Sequence, residues 1–453
     1  MTRPLRSAIF VGSFPVVSET FILQQITGLL DLGHEVDIYA DTRVDSAEVQ
    51  PEIKSYGLMK RTIFMGMPPE VAPWEMPIWP LSGKTWLPGA ATALPNWGRV
   101  ARAFPNFCRC VLSQPRLTRQ ALSRAEFGFQ AASLSTLYRL ARLSGVSRPY
   151  DVVHAHFGPI GNSFRFVRQL WRAPMLVSFH GYDFSATPRQ QGPDVYQKLF
   201  STADLVTVNS NYMGQQLQRL GCSPDKIRKL SYGIDLQRYP SRARALQDDE
   251  PVRIATVGRL VEKKGIEYVI RALAKVARKH PRLRYDVIGD GPLRRSLEQL
   301  AHEQSLGDVV QFHGALSGER VRALLDQAHL FVLASVTAHD GDQEGTPVSL
   351  LEAQAAGLPV ISTRHSGIPE IIAEGESGWL VPERDPEALA ERLTSLIEHP
   401  ETWASCGSRG RKFVETGFAR TKCINDLLDV YSELRKIRSR VSAKRAKLTD
   451  RRK

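Results

Sequence analysis

Cysteine is scarce in this chain of 453 residues: there are five, at Cys108, Cys110, Cys222, Cys406 and Cys423, scattered and without a C-x-x-C pair. That argues against a disulfide framework or a cysteine-bound structural metal and fits a reducing cytoplasm. Long apolar runs are missing too. No stretch reaches about 18 clean apolar residues, so no membrane-spanning helix is expected. The short apolar run at residues 7–11 comes after Arg3 and Arg6, but Gly12, Pro15 and Glu19 interrupt its continuation and no small-residue cleavage site appears. It reads as a first strand rather than a signal peptide. No G-x-G-x-x-G comes after that strand, because Gly12 is succeeded by Ser13, Phe14 and Pro15. An NAD-dependent oxidoreductase is thereby disfavoured.

Acids are nearly absent from the C-terminal tail. Residues 435–453 hold ten Lys or Arg and one acid, Asp450, so +9 of the net +13 sits there and +4 on the rest. Such a tail is either a solvated helix end or a contact for an anionic membrane surface, where each nearby cation contributes about 1 kcal/mol. It carries no zinc-finger spacing and no RNA-binding signature, so no specific nucleic-acid partner is expected.

The length calls for two or three domains. Residues 7–11, a helical run at 19–32 ending at Gly33, and residues 35–39 form a first βαβ pattern. Apolar runs at 152–155, 175–178 and 205–208 fit parallel strands covered on both faces. After a polar, charged linker at 241–250 a second series begins, with strands at 253–257, 284–288, 309–312, 329–332, 359–362, 370–372 and 378–381. Helices are expected at 266–280 and from Pro386 onward. The fold class is α/β, two open sheets with a crevice between them. Ligands in such sheets sit beyond the C-terminal strand ends. Residues 55–149 are looser: Pro68 to Trp86 is Pro- and Trp-rich and reads as irregular, and 97–112 and 116–143 read as helical, with Pro105 expected to kink or break the first. Arg99, Arg102 and Arg109, interleaved with Phe104 and Phe107, read as an ordinary packing face, a membrane-touching patch being the second reading.

Three loops carry chemistry. Gly258 and Arg259 end a strand and Lys264 precedes the next helix, which suits a diphosphate: close backbone approach plus cations. Gly289 and Gly291 allow a tight turn, over a ligand or simply as a turn. Glu344-Gly345-Thr346-Pro347 runs into Val348, with a helix expected at 348–356 and Gly357 ending it. Free N–H groups at that helix start suit phosphate oxygens. Glu344 lies ahead of the helix and Glu352 in its second turn, where a carboxylate can accept both hydroxyls of a ribose. His180 comes after a strand and precedes Gly181, facing the crevice. His154 and His156 share one strand face, but no third ligand at a coherent spacing makes them a metal site.

Residues 257–265 together with 344–357 resemble the retaining GT-B glycosyltransferases of family 4. Phe14-Pro15-Val16-Val17-Ser18-Glu19-Thr20-Phe21-Ile22, residues 151–158, Phe179-His180-Gly181-Tyr182-Asp183 and residues 340–347 are similar to its bacterial exopolysaccharide branch, the colanic acid and amylovoran type. The resemblance implies two Rossmann-like domains: an acceptor domain at 1–240 with an insertion at about 55–149, and a nucleotide-sugar domain at 241–418. A helix at 419–436 packing back on the first domain and a basic tail at 437–453 complete the plan. It implies catalytic roles for Glu344 and His180 at the transferred sugar, Glu352 at the ribose, and Arg259 and Lys264 at the diphosphate. Gly12, Gly258, Gly289, Gly291, Gly345, Thr346, Pro347 and Val348 would line the donor. Many members have a glycine pair where this chain has Gly12-Ser13. The implied reaction is retaining and needs no metal or prosthetic group. Its donor is a UDP- or GDP-hexose and its acceptor a lipid-linked oligosaccharide, at the cytoplasmic face of the membrane beside other polysaccharide-assembly enzymes. A soluble or simple lipid acceptor and a non-catalytic scaffold are the alternatives.

Overall fold

The computed structural model describes residues 3–45, 50–66, 96–146 and 149–450. Two parallel sheets form the frame. The first contains β1 (Arg6–Phe14), β2 (Glu35–Arg43), β3 (Thr62–Phe64), β4 (Val152–His156), β5 (Met175–Ser178), β6 (Leu205–Val208) and β7 (Ile227–Lys229), in the order β3-β2-β1-β4-β5-β6-β7. The second contains β8 (Val252–Val257), β9 (Leu283–Ile288), β10 (Val310–Gly314), β11 (Leu330–Leu333), β12 (Val360–Thr363) and β13 (Gly378–Val381), in the order β10-β9-β8-β11-β12-β13. Both are doubly wound. Every residue of β4, β5, β6, β11 and β12 is buried, as expected when helices cover both faces of a parallel sheet. These are the two Rossmann-like domains of a GT-B architecture.

The sequence pattern misplaced several details. Residues 370–372 are not a strand: Ile368–Glu370 is a short 3-10 turn, and Ile371 and Ile372 are buried by packing rather than by pairing. Residues 116–143 are not one helix but three, Pro115–Ala121, Arg124–Ala132 and Ser135–Leu143. Ser123 caps the second by accepting the Glu126 N–H, Gly128 kinks it at φ 51°, and Leu134 turns left-handed at φ 63° before the third. Helix Asn96–Ser113 runs through Pro105 unbroken. Gly12 belongs to β1 rather than to a loop beyond it. The Pro- and Trp-rich run from Pro68 to Trp86 lies outside the described residues.

Two crossings join the halves. In the 241–250 segment Arg244 is buried and donates to the Ala328 carbonyl at 3.1 Å and the Ala356 carbonyl at 2.7 Å. The linker is thus stapled to the second domain despite its polar sequence. Beside it the chain returns: Ile234 N–H donates to the Phe418 carbonyl at 2.7 Å, and Arg420 N–H to the Ile234 carbonyl at 2.9 Å. Helix Arg420–Asp450 then lies on the first domain, where Leu427, Val430, Tyr431 and Leu434 enter its core. Arg420 pairs with Asp31 at 2.7 Å, and Arg438 donates to the Tyr150 carbonyl at 3.1 Å.

Candidate active site

A doubly wound sheet opens a crevice where its strand order reverses, at the carboxyl ends of the strands. The reversals here lie between β1 and β4 and between β8 and β11. His156 ends β4 and Gly258 comes directly after β8, so both domains present these residues at the switch point. Across the crevice the loop after β5 packs on the loop before helix Val348–Ala355. A methyl group built on Gly181 would stand 3.2 Å from the Gln343 carbonyl, and one on Gly345 would collide with the His180 carbonyl and the Asn209 amide. That close packing brings His180 and Glu344 to one place.

On the second domain the glycines meet each other. Gly289 (φ 140°) has no room for a Cβ against the Gly258 carbonyl, and a Cβ on Gly291 would lie 2.5 Å from the Leu260 carbonyl. Gly258 N–H donates to the Ile288 carbonyl at 3.0 Å and Leu260 N–H to the Asp290 carbonyl at 3.0 Å. The turn through Gly258 and Arg259 is therefore clamped against the turn through Gly289 and Gly291. A Cβ on Gly258 would also come within 3.3 Å of Lys264 Cε, so the small residue leaves a channel for that side chain.

Lys264 uses the channel to reach Glu344, Nζ to Oε1 2.9 Å. Glu344 is buried. Burial alone would raise its carboxyl, but Lys264 above all, then Lys263, hold it down at about 2, so it stays ionised. For Lys264 burial lowers the ammonium and Glu344 opposes it. The direction that governs the pair is mutual charge: a carboxylate beside an ammonium. The backbone of Glu344 is fixed as well. Its N–H donates to His365 Nε2 at 3.1 Å, its carbonyl accepts from Ser366 Oγ at 2.6 Å, and His365 Nδ1 bonds Glu383 at 2.7 Å. Accepting at Nε2 makes His365 the Nδ1–H tautomer, which then donates to Glu383. Lys263 does a different job from Lys264, pairing with Asp342 at 2.9 Å and tying down the preceding loop.

Helix Val348–Ala355 starts at Pro347, which is the N-cap residue rather than the first helical one, and no side chain caps it. Thr346 is buried just ahead. Gly357 (φ 77°) ends it, with its N–H donating to the Gln354 carbonyl at 3.0 Å. One turn in, Glu352 takes a hydrogen bond from the Tyr239 hydroxyl and feels the charge of Arg322; burial raises its carboxyl against both. The two carboxylates thus differ: Glu344 is locked ionised by lysines, whereas Glu352 is held by a neutral phenol.

The first domain contributes a chain of rings. His180 Nδ1 bonds the Tyr232 hydroxyl at 2.8 Å, its Nε2 bonds His156 Nδ1 at 3.1 Å, and Phe21 lies against it with centroids 4.6 Å apart. His156 lies tilted against His154, centroids 4.3 Å apart, and His154 bonds Ser178 Oγ at 2.7 Å and the Tyr431 hydroxyl at 2.9 Å. Burial keeps all three imidazoles neutral: His154 falls to about 3, and His156 and His180 go well below their usual range with help from neighbouring rings. Asn209 donates to the Tyr232 hydroxyl at 2.8 Å. If that hydroxyl donates in turn to His180 Nδ1, His180 carries its proton on Nε2 and passes the bond to His156. Both ring nitrogens of His180 are therefore already engaged.

At Gly12, near the end of β1, the nearest atom to a Cβ built there is Ile160 Cδ1 at 3.5 Å. The residues for which the sequence offered no role are Tyr239, Tyr232, Asn209, His365 and Glu19. Glu19, just ahead of helix Thr20–Asp31, feels the charge of Arg259, and burial raises its carboxyl to about 8 against that pull. It stands in the motif at 14–22, where the sequence alone gave it no chemistry. The others have no local signature, since each is defined by a partner far along the chain. No group of three or more His, Cys, Asp or Glu that could hold a metal ion occurs among the described residues. None of the helices they form is long and apolar enough to cross a membrane.

Comparison with known proteins shows the family. Residues 18–233 match the glycosyl transferase 4-like domain, and residues 238–413 match glycosyl transferases group 1. The putative colanic acid biosynthesis glycosyltransferase WcaL of Salmonella typhimurium is 35% identical over 422 residues, covering 91% of this chain and 96% of that protein. The amylovoran biosynthesis glycosyltransferase AmsK of Erwinia amylovora is 31% identical over 436 residues, 95% of this chain and 100% of that protein. The crystal structure of Anabaena Alr3699/HepE in complex with UDP and glucose shares the fold, with a TM-score of 0.64 over 95% of this chain and 100% of that chain, at 15% identity. The chain belongs to the GT-B glycosyltransferases with a family 4-like domain, among the relatives of the colanic acid and amylovoran biosynthesis enzymes.

Proposed function

We propose that this protein transfers a hexosyl unit, with retention of configuration, from a nucleoside-diphosphate sugar to a hydroxyl of a lipid-linked oligosaccharide in exopolysaccharide or other surface polysaccharide synthesis. The observation that carries the reading is the buried Lys264–Glu344 pair beside the uncapped start of helix Val348–Ala355. Cations and free N–H groups at one helix start suit a diphosphate, and an ionised carboxylate next to them suits the sugar end, where positive charge develops. Arg259, Lys264 and the N–H groups after Pro347 stabilise charge on the leaving diphosphate. Glu352, with Tyr239 beside it, takes the ribose. Glu344 and His180 orient the transferred sugar, and Gly12 lines the donor.

The bond from the anomeric carbon to the β-phosphate oxygen breaks, the bond to the acceptor oxygen forms on the same face, and the acceptor proton passes to the leaving phosphate. The donor class is supported by the names of relatives and neighbours, one of which was solved with UDP-glucose. The names of WcaL and AmsK support the exopolysaccharide context. A lipid-linked acceptor places the protein at the inner face of the cytoplasmic membrane, where the basic tail would meet anionic lipid and other assembly enzymes would lie close by.

The test is to incubate the purified protein with a panel of UDP- and GDP-sugars, measure donor hydrolysis, and repeat with lipid-linked acceptors, reading the anomeric configuration of the product. Glu344→Ala should lower transfer by about a hundredfold or more. Unchanged turnover in that variant would remove Glu344 from the mechanism, and inertness toward every donor would favour a scaffold.

A further inference from the structure

Helix Asn96–Ser113 is built inside out. The side it turns to the protein carries small residues: Ala103 and Cys110 are buried. Its water-facing side carries large apolar ones. Val100 is 59% exposed, Phe104 61%, Leu112 87%, and Phe107 and Val111 just over a third. Positions 100, 104, 107 and 111 recur at intervals of four, three and four, which puts them on one face of a helix about 27 Å long. Phe104 and Phe107 touch only in a loose stack, centroids 6.4 Å apart, so they do not cover each other. A packing face of the ordinary kind would bury these residues; this one shows them to solvent. Large contiguous apolar patches on soluble proteins mark interaction surfaces.

The charge around the face says what covers it. From Trp86 to Ala125 the sequence has six arginines, Arg99, Arg102, Arg109, Arg116, Arg119 and Arg124, and no Asp or Glu. Arg109, Arg116, Arg119 and Arg124 are exposed. An apolar helix face with exposed arginines beside it, in a stretch of sequence without an acid, is the composition of a helix that lies in the plane of an anionic lipid surface, side chains sunk to the acyl boundary and guanidinium groups among the headgroups. A second copy of the chain would bring the exposed Arg109, Arg116, Arg119 and Arg124 against their own like charges, which opposes self-association through this face.

We propose that the exposed face of helix Asn96–Ser113 is the surface by which the first domain docks on an anionic bilayer. The proposal rests on the membrane-side reading of the acceptor and adds a site to it, separate from the basic tail.

The test uses the full-length protein and sucrose-loaded vesicles of phosphatidylglycerol and phosphatidylcholine in equal parts, or of phosphatidylcholine alone. The variants are F104S/L112S and R109E/R116E, each with and without residues 439–453. The expected result is binding to the anionic vesicles that falls about tenfold or more in F104S/L112S. R109E/R116E should fall similarly on anionic vesicles, and the effect should persist when the tail is deleted. Donor hydrolysis and thermal midpoint should stay unchanged in F104S/L112S. Undiminished vesicle binding in both variants overturns the proposal, as does equal binding of the wild type to both lipid mixtures. So does a fallen thermal midpoint in F104S/L112S, which would mean the chain itself covers this face. Conversion of an oligomer to monomers with vesicle binding intact would assign the face to a second copy and overturn it too. Vesicle binding is read without acceptor, so its outcome is independent of transfer to a lipid-linked oligosaccharide. Loss of that transfer with docking intact would strike the acceptor reading alone.

Discussion

Glu344 and Glu19 sit in one crevice and are driven in opposite directions. Glu344 is held at about 2 although burial opposes it, because Lys264 is 2.9 Å away. Glu19 rises to about 8 because burial outweighs the pull of Arg259. Their effects on stability have opposite signs. Glu344 binds fewer protons when folded than when unfolded, so it adds stability above about 4.5 that is lost as pH falls toward about 2. Glu19 binds more protons when folded between about 4.5 and 8, so stability falls as pH rises through that window. Thermal midpoints measured from pH 3.5 to 8.5 should therefore show Glu344→Gln below the wild type at pH 7, with the gap closing under acid. Glu19→Gln should match the wild type near pH 4 and exceed it at pH 8.5. Parallel profiles for all three proteins would contradict both assignments. From sequence, Glu344, Glu352, Arg259 and Lys264 stood out as residue types suited to a diphosphate sugar. Their pairing did not, because Lys264 reaches Glu344 only through the space that Gly258 leaves open.

At the scale of elements, the glycine turns at the ends of β8 and β9 are mutually dependent. Gly289 needs φ 140° and lies against the Gly258 carbonyl, so Gly289→Ala should cost about 2 kcal/mol or more and displace the Arg259 turn. Calorimetry would show the lost stability, and titration with UDP would show weakened binding. Retention of both would mean that the turn can relax. The buried strands were legible because parallel strands covered on two faces are short runs of apolar residues. Residues 370–372 failed for the same reason: Ile371 and Ile372 are as apolar as a strand, yet they are buried under helix Val348–Ala355, whose Gln354 amide bonds the Ile371 carbonyl at 2.9 Å. Apolar character reports burial, and only pairing makes a strand. The three helices between Pro115 and Leu143 merged in the sequence because their breaks lie in one left-handed leucine, one kinking glycine and one serine cap.

The whole molecule is tied by its last helix. Leu427, Val430, Tyr431 and Leu434 fill the core of the first domain, and Arg228 pairs with Glu433 at 2.5 Å. Removing everything after Phe418 should strip that domain of roughly several kcal/mol of apolar burial, out of a total stability that is small for any domain. Removing only residues 439–453 keeps Ile437 and the Arg438 bond to Tyr150. Expression and thermal unfolding should separate the two truncations sharply: the shorter protein aggregates or loses its cooperative transition, and the longer one melts like the wild type. Equal behaviour would show that the helix is dispensable to the first domain. The crevice itself is bridged at one rim. Glu370 of the second domain accepts from the Asn211 and Tyr212 N–H groups at 2.9 and 3.0 Å and pairs with Lys229 at 2.6 Å.

What the sequence by itself determined is local. Apolar runs and turn residues specify the two α/β sheets, glycines specify the tight turns, and a carboxylate ahead of a helix start with cations nearby names a ligand class. What only the tertiary structure decided is who faces whom. Glu352 meets Tyr239, Glu344 meets Lys264 and His365, two imidazoles queue behind His180, and the aromatic face of helix Asn96–Ser113 is left to solvent. The physical reason is that charge, hydrogen bonding and burial act through distances of a few ångströms in space, and these partners are brought together by the fold from positions up to hundreds of residues apart.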